Sequence, residues 1–474
     1  MAMLDPFLNN WDEQFHALVA KHLLLHPLVP TLYETPLIPY YPKIWISNHI
    51  WLHKQPLFLW QIAISLKLFG LNEFAVRVPS IIMMSILPLL IYRIGKISLN
   101  QRIGYYSALL VCSAFYIHEM LTGFPPSDHN DIAFLFYISA SIWAWVEYER
   151  SQRKQWLILI GLFSGGAVLI KWLTGLLVFT GWGLTILLNK EKRSSLGQYK
   201  AIITSFIVAL VVFIPWQIYI SSSFPIESKY EYSLNSKHFL TVVEGHGGDA
   251  FYYFDNLRKT FGAGQLVPFL ILFSFIFFYK NINENKFKIA FFSYIATTYL
   301  FFSLAATKMS GFCYIVSPLI FLSLGAFIEN VLTFIKIKLF KKTAFQNIFT
   351  ILLLLLIAWG NLDLHKIAYK HTMLIRPDDN DKRIEKINDV IFIKSLKNIL
   401  PSEDYAIFNC KAEKNIGIMF YTNNIAYDKQ LGYNDYLILK NKKIKLAVID
   451  NGKLNDFIKN DSTIIKIKAP DSSW

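Results

Sequence analysis

The stretch IFTILLLLLIAWG, residues 348–360, is almost entirely apolar and carries no charged side chain. With its flanking residues it reaches the length of about 17–25 residues that a transmembrane helix requires. The whole chain of 474 residues is 54% hydrophobic and 17% charged, whereas a soluble protein has about 25% charged residues. The sequence therefore predicts an all-α polytopic membrane protein.

Ten segments have the composition of transmembrane helices, including two short ones that form a broken pair around Lys171. These segments lie near 74–93, 104–121, 131–149, 156–172, 174–188, 201–220, 264–280, 289–306, 312–335 and 346–362.

Lys and Arg residues cluster in alternate loops between these segments. By contrast, the loop TGFPPSDHN (122–130) has no basic residue and ATKMSG (306–311) has one. The positive-inside rule then places the basic loops in the cytoplasm and the segments 1–73, 122–130, 221–263 and 364–474 on the outer face. The net charge of +14 comes from Lys and Arg residues in these loops, which is typical of membrane orientation, so we expect no nucleic-acid partner.

Three regions follow from this topology. Residues 1–73 are predicted to be an outer catalytic segment with interfacial helices, and 74–363 a transmembrane bundle with the outer loop 221–263. Residues 364–474 are more polar and contain the strand-like runs YAIFNC and IKLAVID, which predict a small α/β domain. Because 1–73 must be translocated, we also expect a first transmembrane helix ahead of this sequence.

The polar segment NNWDEQFHALVAK (9–21) places two adjacent acids, Asp12 and Glu13, at the start of an amphipathic pattern. This pattern predicts a helix lying along the membrane surface, with Asp12 near its N-terminus. An acid at that position caps a helix in many proteins, so capping and chemistry are both open for Asp12.

Further charged residues fall on the same predicted face. Lys54 precedes an apolar helix, where a lysine either reaches the headgroups or holds a phosphate. Asp131 begins the third apolar run, where an acid also stabilises a helix N-terminus, and Lys308 lies in an outer loop. Charges that converge on the outer face of an apolar bundle favour an interfacial active site for a lipid-borne anion.

The outer loop VEGHGGDAFYYF (243–254) contains three residues of metal-ligand type, Glu244, His246 and Asp249. Their spacing matches no metal motif, and a flexible glycine-rich loop explains them equally well. They are weak candidates for a metal site.

The blocks NNWDEQFHALVAK and WLHKQPLFLWQIAISLKLFGLNEFAVRVPS (51–80), followed by the Asp131 segment and ATKMSGF, resemble the GT-C superfamily of lipid-linked-sugar glycosyltransferases. The resemblance extends from about residue 5 to residue 360. The most similar branches are the bacterial aminoarabinose (lipid A) transferases and the polyprenyl- or dolichyl-phosphate-mannose protein mannosyltransferases. The resemblance implies a GT-C fold.

The resemblance also implies roles for individual residues. Asp12 matches the acid taken as the catalytic base, with Glu13 beside it as a substrate contact, and Asp131 matches the second acid. Lys54 matches the lysine that contacts the lipid phosphate, in a Lys-Gln-Pro-Leu version of the Lys-Pro-Pro-Leu motif. Lys308 begins a segment that matches Lys-x-Pro-x-Tyr, but Phe312 replaces the tyrosine.

The implied activity is inverting transfer of a sugar from a polyprenyl-phosphate donor to a lipid, glycan or protein acceptor, within an inner membrane and on its periplasmic face. The lysines neutralise the phosphate, so no metal is required, although a divalent ion remains open. The alternative is a non-enzymatic transporter or flippase of polyprenyl-linked substrates.

Overall fold

The computed structural model describes residues 5–122, 128–262, 264–339, 343–362, 379–411, 413–470 and 474. Five of the helices within these ranges are long and apolar enough to cross a membrane, by length and composition. They are Glu73–Ser98, Leu196–Ser223, Asn285–Leu304, Phe312–Ile335 and Ala344–Leu362. The number of ten spans stays a prediction, and the ten segments coincide largely with helices over the residues described.

Up to Ser151, the described residues form six helices. In chain order they are α1 (Asp12–Leu23), α2 (Pro56–Phe69), α3 (Glu73–Ser98), α4 (Gln101–Ser113), α5 (Phe115–Thr122) and α6 (His129–Ser151). The segment 104–121, predicted as a single helix, is divided at Ala114, whose backbone is extended.

The middle of the chain is helical apart from short connections. It comprises α7 (Gln155–Lys171), a 3₁₀ turn (Leu173–Leu176), α8 (Leu177–Leu188), α9 (Lys190–Arg193), α10 (Leu196–Ser223), α11 (Pro225–Leu240), α12 (Tyr252–Thr260), α13 (Val267–Asn281), α14 (Asn285–Leu304), a 3₁₀ turn (Phe312–Val316), α15 (Ser317–Leu339) and α16 (Thr343–Leu362). The expected interruption beside Lys171 is therefore present as the turn between α7 and α8.

Helix α7 packs closely along α10 because small residues line their contact. A Cβ atom added to Gly161 would lie 2.5 Å from the carbonyl oxygen of Ser205, and one added to Gly165 would lie 2.6 Å from Cβ of Val212. Small residues at such contacts are typical of helices packed within membranes. The close packing fixes the end of α7, where Lys171 lies.

The C-terminal part contains helix α17 (Asp379–Ile399) and a four-stranded parallel sheet of strand order β2-β1-β3-β4. Its further elements are β1 (Tyr405–Phe408), α18 (Lys414–Tyr421), β2 (Ile425–Ala426), α19 (Tyr433–Asn441), β3 (Lys445–Asp450), α20 (Asp456–Asn460) and β4 (Ile465–Lys468). The two strand-like runs of the sequence are β1 and β3, while the short strands β2 and β4 had no clear pattern.

The C-terminal elements are built onto the first helix. Nζ of Lys21 in α1 donates hydrogen bonds to the carbonyl oxygens of Met419, Phe420 and Thr422, at 2.7, 3.2 and 2.7 Å. These carbonyls end helix α18, where a cation is favourable because the last carbonyls lack helical partners. The sheet region and the segment that carries Asp12 therefore pack together.

Candidate active site

Three segments that are far apart in the chain meet at Lys54, two residues before the start of α2. Nζ of Lys54 lies 3.0 Å from Oδ1 of Asp12, the first residue of α1. The same Nζ lies 3.2 Å from Oδ2 of Asp128, the residue that precedes α6. One lysine thus bridges an acid of the first segment and an acid of the 122–130 loop.

The electrostatics of this bridge favour the ionised forms. Burial opposes the charge on Lys54, but the carboxylates of Asp12 and Asp128 outweigh it and raise the pKa of the ammonium. Burial likewise opposes ionisation of Asp128, yet the positive charge of Lys54 lowers the pKa of its carboxyl below the usual range. Each charge is therefore stabilised by its partners, as in a compact ion-pair network.

The structure distinguishes capping from other roles for the two candidate acids. The cap residue of α1 is Trp11, which makes no side-chain cap bond, and the carboxylate of Asp12 pairs with Lys54 instead. The cap of α6 is Asp128, whose Oδ1 accepts a hydrogen bond from the backbone N–H of Asn130 at 2.9 Å. Capping is thus the role of Asp128 rather than of Asp12 or Asp131.

Asp131 forms a second ion pair, with Lys171 at the end of α7. Nζ of Lys171 also lies 5.5 Å from the centre of the Phe312 ring, which is within range of a cation–π contact. A Cβ atom added to Gly311 would lie 2.6 Å from Oδ2 of Asp131, so the 306–312 loop packs directly on this acid. Lys171 was absent from the predicted site, although a lysine beside a break in an apolar run is a recognisable signal.

Lys308 is not directed at these acids. Its Nζ is buried and donates hydrogen bonds to the carbonyl oxygens of Ser303 and Ala305, at 3.1 and 2.6 Å. This arrangement satisfies carbonyls at the end of α14. In this geometry the ammonium of Lys308 supports the backbone, and the substrate contact that the motif implied stays a prediction.

Glu13, predicted as a substrate contact, lies away from Lys54 and pairs with Arg77. Its side chain is fully buried, and its two oxygens accept hydrogen bonds from Nε and Nη2 of Arg77 at 2.7 and 3.0 Å. The backbone N–H of Asn9 donates a further bond at 2.7 Å. A buried carboxylate with such partners anchors α1 to α3, and a substrate contact for Glu13 stays a prediction.

The structure adds two histidines that the sequence did not single out. Nδ1 of His16 lies 2.7 Å from Nε2 of His129, and 3.8 Å from Oδ1 of Asp128. Both rings are fully buried and nearly parallel. The signal in the sequence was only one of position: His16 lies one helical turn after Asp12, and His129 directly follows Asp128.

Within the residues described, His16, Asp128 and His129 are the group whose ligand atoms are close enough to suggest a metal ion. The distance of 2.7 Å between the two ring nitrogens is that of a hydrogen bond. Two nitrogens bound to one tetrahedral zinc ion are about 3.3 Å apart, given bonds of about 2.0–2.1 Å. The geometry therefore fits a hydrogen-bonded pair better than a metal centre.

The weak metal candidates of the outer loop do not converge either. Oε1 of Glu244 accepts a hydrogen bond from Nε1 of Trp45 at 3.2 Å, and Oδ1 of Asp249 accepts one from the backbone N–H of Phe251 at 2.9 Å. The carbonyl oxygen of His246 accepts a bond from the backbone N–H of Lys308. These contacts order the loop and assemble no ligand set.

Part of the chain is similar in sequence to known proteins. Residues 53–219 match the family model described as dolichyl-phosphate-mannose-protein mannosyltransferase. A curated relative is the undecaprenyl phosphate-alpha-4-amino-4-deoxy-L-arabinose arabinosyl transferase of Pseudomonas paraeruginosa, which is 28% identical over 185 residues. That match spans 36% of this chain and only 32% of the relative's length.

Solved structures share the fold over nearly the whole chain. ArnT from Cupriavidus metallidurans in the apo state has a TM-score of 0.60 at 13% identity, covering 95% of this chain and 83% of that one. ArnT bound to undecaprenyl phosphate also has a TM-score of 0.60, at 12% identity, covering 93% of this chain and 85% of that one. A third similar structure is the archaeal oligosaccharyltransferase AglB from Archaeoglobus fulgidus, solved with an inhibitory peptide and a dolichol-phosphate. Its TM-score is 0.58 at 12% identity, and the match covers 94% of this chain and 66% of that one.

The membrane-length helices, the family match over residues 53–219 and the shared fold make this chain similar to multi-pass membrane glycosyltransferases. The resemblance drawn from the sequence blocks is confirmed. The chain is similar to lipid-linked-sugar glycosyltransferases of the GT-C superfamily, in sequence over part of its length and in fold over most of it.

Proposed function

We propose that the protein transfers a sugar from a polyprenyl-phosphate donor to a hydroxyl group of a lipid, glycan or protein, with inversion at the anomeric carbon. The observation that carries the proposal is the position of Lys54, bridged between Asp12 and Asp128. A cation beside a carboxylate matches the two needs of this reaction, a phosphate leaving group and a general base. The structure of ArnT with undecaprenyl phosphate supports a polyprenyl-phosphate ligand for this fold.

In the proposed reaction, the donor phosphate approaches Lys54, whose positive charge stabilises the negative charge that develops on the leaving oxygen. Asp12 takes the proton from the acceptor hydroxyl while the hydroxyl oxygen of the acceptor attacks the anomeric carbon. The C1–O bond to phosphate breaks, a new C1–O bond to the acceptor forms, and polyprenyl phosphate leaves with the electron pair. General-base and electrostatic contributions of this kind are each worth about 10²–10⁴-fold in rate.

The second pair, Asp131 and Lys171, lies beside Phe312 and Gly311 and is proposed to orient the acceptor end of the site. With Lys54 and Lys171 as cations, the reaction needs no divalent metal, and chelation tests this point. The charge alternation of the loops supports an inner-membrane protein whose site faces the periplasm.

The test is a transfer assay in membranes, with a panel of radiolabelled undecaprenyl-phosphate sugars, before and after treatment with EDTA. We expect Asp12→Asn and Lys54→Ala to lower the transfer rate by about 10²-fold or more. Asp249→Asn is the matched control, since that acid lies on the surface loop. Wild-type rates in both site variants would refute the assignment, and movement of donor across the membrane without cleavage would instead support a flippase.

A further inference from the structure

The contact between His16 and His129 joins the two segments that supply the acids around Lys54. His16 lies four residues after Asp12 in α1, on the same side of the helix, and His129 directly follows Asp128. Their ring nitrogens are 2.7 Å apart, and both side chains are fully buried. The two acids are thus connected twice, through Lys54 at the site and through the histidines beneath it.

The pair is held in a closed apolar setting. The ring of Phe58 meets both imidazoles edge to face. The centre of the Phe58 ring lies 6.1 Å from that of His16 and 4.8 Å from that of His129. Trp51 meets His16 in the same way at 5.9 Å. Neither imidazole can turn without displacing these rings, so the contact fixes the distance between α1 and the start of α6.

Two nitrogens at this distance share a single proton, because two lone pairs or two N–H groups would repel each other. The other nitrogens, Nε2 of His16 and Nδ1 of His129, have no hydrogen-bond partner among the described residues. Buried polar atoms without partners cost free energy, and two apolar rings would fill the same space without that cost. Packing alone therefore does not account for two histidines here.

We propose that His16 and His129 are positioning residues that hold Asp12 and Asp128 on opposite sides of Lys54. The inference rests on the proposed function of that cluster. Both histidines act through the acids and do not contact the substrate. Loss of their hydrogen bond lets α1 shift against α6, and Asp12 then leaves its position beside Lys54.

The kinetic test compares His16→Phe, His129→Phe and the double variant, in which apolar rings retain the packing. We expect each single variant to lower kcat by about 10–100-fold, since a misplacement of about 1 Å has effects of this size, while donor KM changes by less than about threefold. The double variant should be no slower than a single one, because one substitution already breaks the bond. His129→Gln keeps an N–H donor and should recover part of kcat.

The matched control is His22→Gln. His22 is a buried histidine of the same helix, but its Nδ1 contacts the carbonyl oxygen of Thr31 away from Lys54. It should keep the wild-type kcat. Single variants with wild-type kcat, or rate losses that multiply in the double variant, would overturn the positioning role.

A spectroscopic readout separates this inference from the proposed function. In protein labelled with ¹⁵N-histidine and ¹⁵N-lysine, solid-state NMR should show an N–H···N correlation between the two rings, absent in each variant including His129→Gln. The Lys54 resonance should shift in the Phe variants and remain in place in His22→Gln. If wild-type protein shows no transfer but these shifts occur, the proposed function fails and the positioning stands. An unchanged Lys54 resonance overturns the positioning.

Discussion

The ammonium of Lys54 lies 3.0 Å from the carboxylate of Asp12, where α1 packs against α2. Asp128 completes the cluster from a third segment. A lysine held between two acids remains charged and keeps a fixed position, which is the property that recognition of a lipid phosphate requires.

The first prediction separates the two lysines that the motif implied. Lys54→Met should abolish donor binding and leave Asp12 and Asp128 facing each other without a cation. Lys308→Met removes hydrogen bonds to backbone carbonyls, so it should lower the melting temperature and leave donor affinity unchanged. Binding of fluorescent undecaprenyl phosphate to detergent-purified variants measures the difference. An equal loss of donor binding in both variants would instead show that Lys308 contributes to the donor site.

The second prediction concerns the glycine that packs on Asp131. Gly311→Ala adds a methyl carbon only 2.6 Å from Oδ2 of Asp131, and should displace this acid from Lys171. We expect a loss of transfer rate of about 10-fold or more, as small displacements in a site have large effects. Gly183→Ala is the control, because its added Cβ would meet only Cδ1 of Ile202, at 4.0 Å. Equal rates in the two variants would contradict the contact.

The third prediction tests the structural role of Glu13. Glu13→Gln removes the carboxylate that pairs with the buried guanidinium of Arg77 and should destabilise the protein by about 3–5 kcal/mol. Arg102→Gln removes an exposed pair with Glu329 and should cost about 0–1 kcal/mol. Thermal unfolding in detergent compares them. A Glu13→Gln protein with wild-type stability and reduced donor affinity would instead support the substrate contact.

The fourth prediction is a pH dependence of stability. Burial lowers the pKa of His22 below its ordinary value of 6.5, partly opposed by the carbonyl oxygen of Thr31. The unfolded chain then binds more protons than the folded one below pH 6.5, so acidification favours unfolding. We expect the melting temperature to fall between about pH 7.5 and about pH 5.5, and to fall less in His22→Gln. An identical slope in the variant would contradict this linkage.

Much of the architecture followed from local patterns. Apolar runs predicted the helices, and the amphipathic pattern after Asp12 predicted α1, because burial of one face imposes a helical period. The break at Ala114 was missed, since a single extended residue leaves no periodic signal. The short strands β2 and β4 were missed because two or four residues give no alternation, and pairing with β1 and β3 forms them.

The sequence by itself determined the membrane class, the GT-C resemblance and the candidates Asp12, Lys54 and Asp131, because composition and motifs are properties of neighbouring residues. Only the tertiary structure decided which charges meet. It paired Lys171 with Asp131, buried Glu13 against Arg77 and turned Lys308 towards backbone carbonyls. The physical reason is that a charge acts over a few ångströms of space, and helix packing sets those distances between residues that are far apart in the chain.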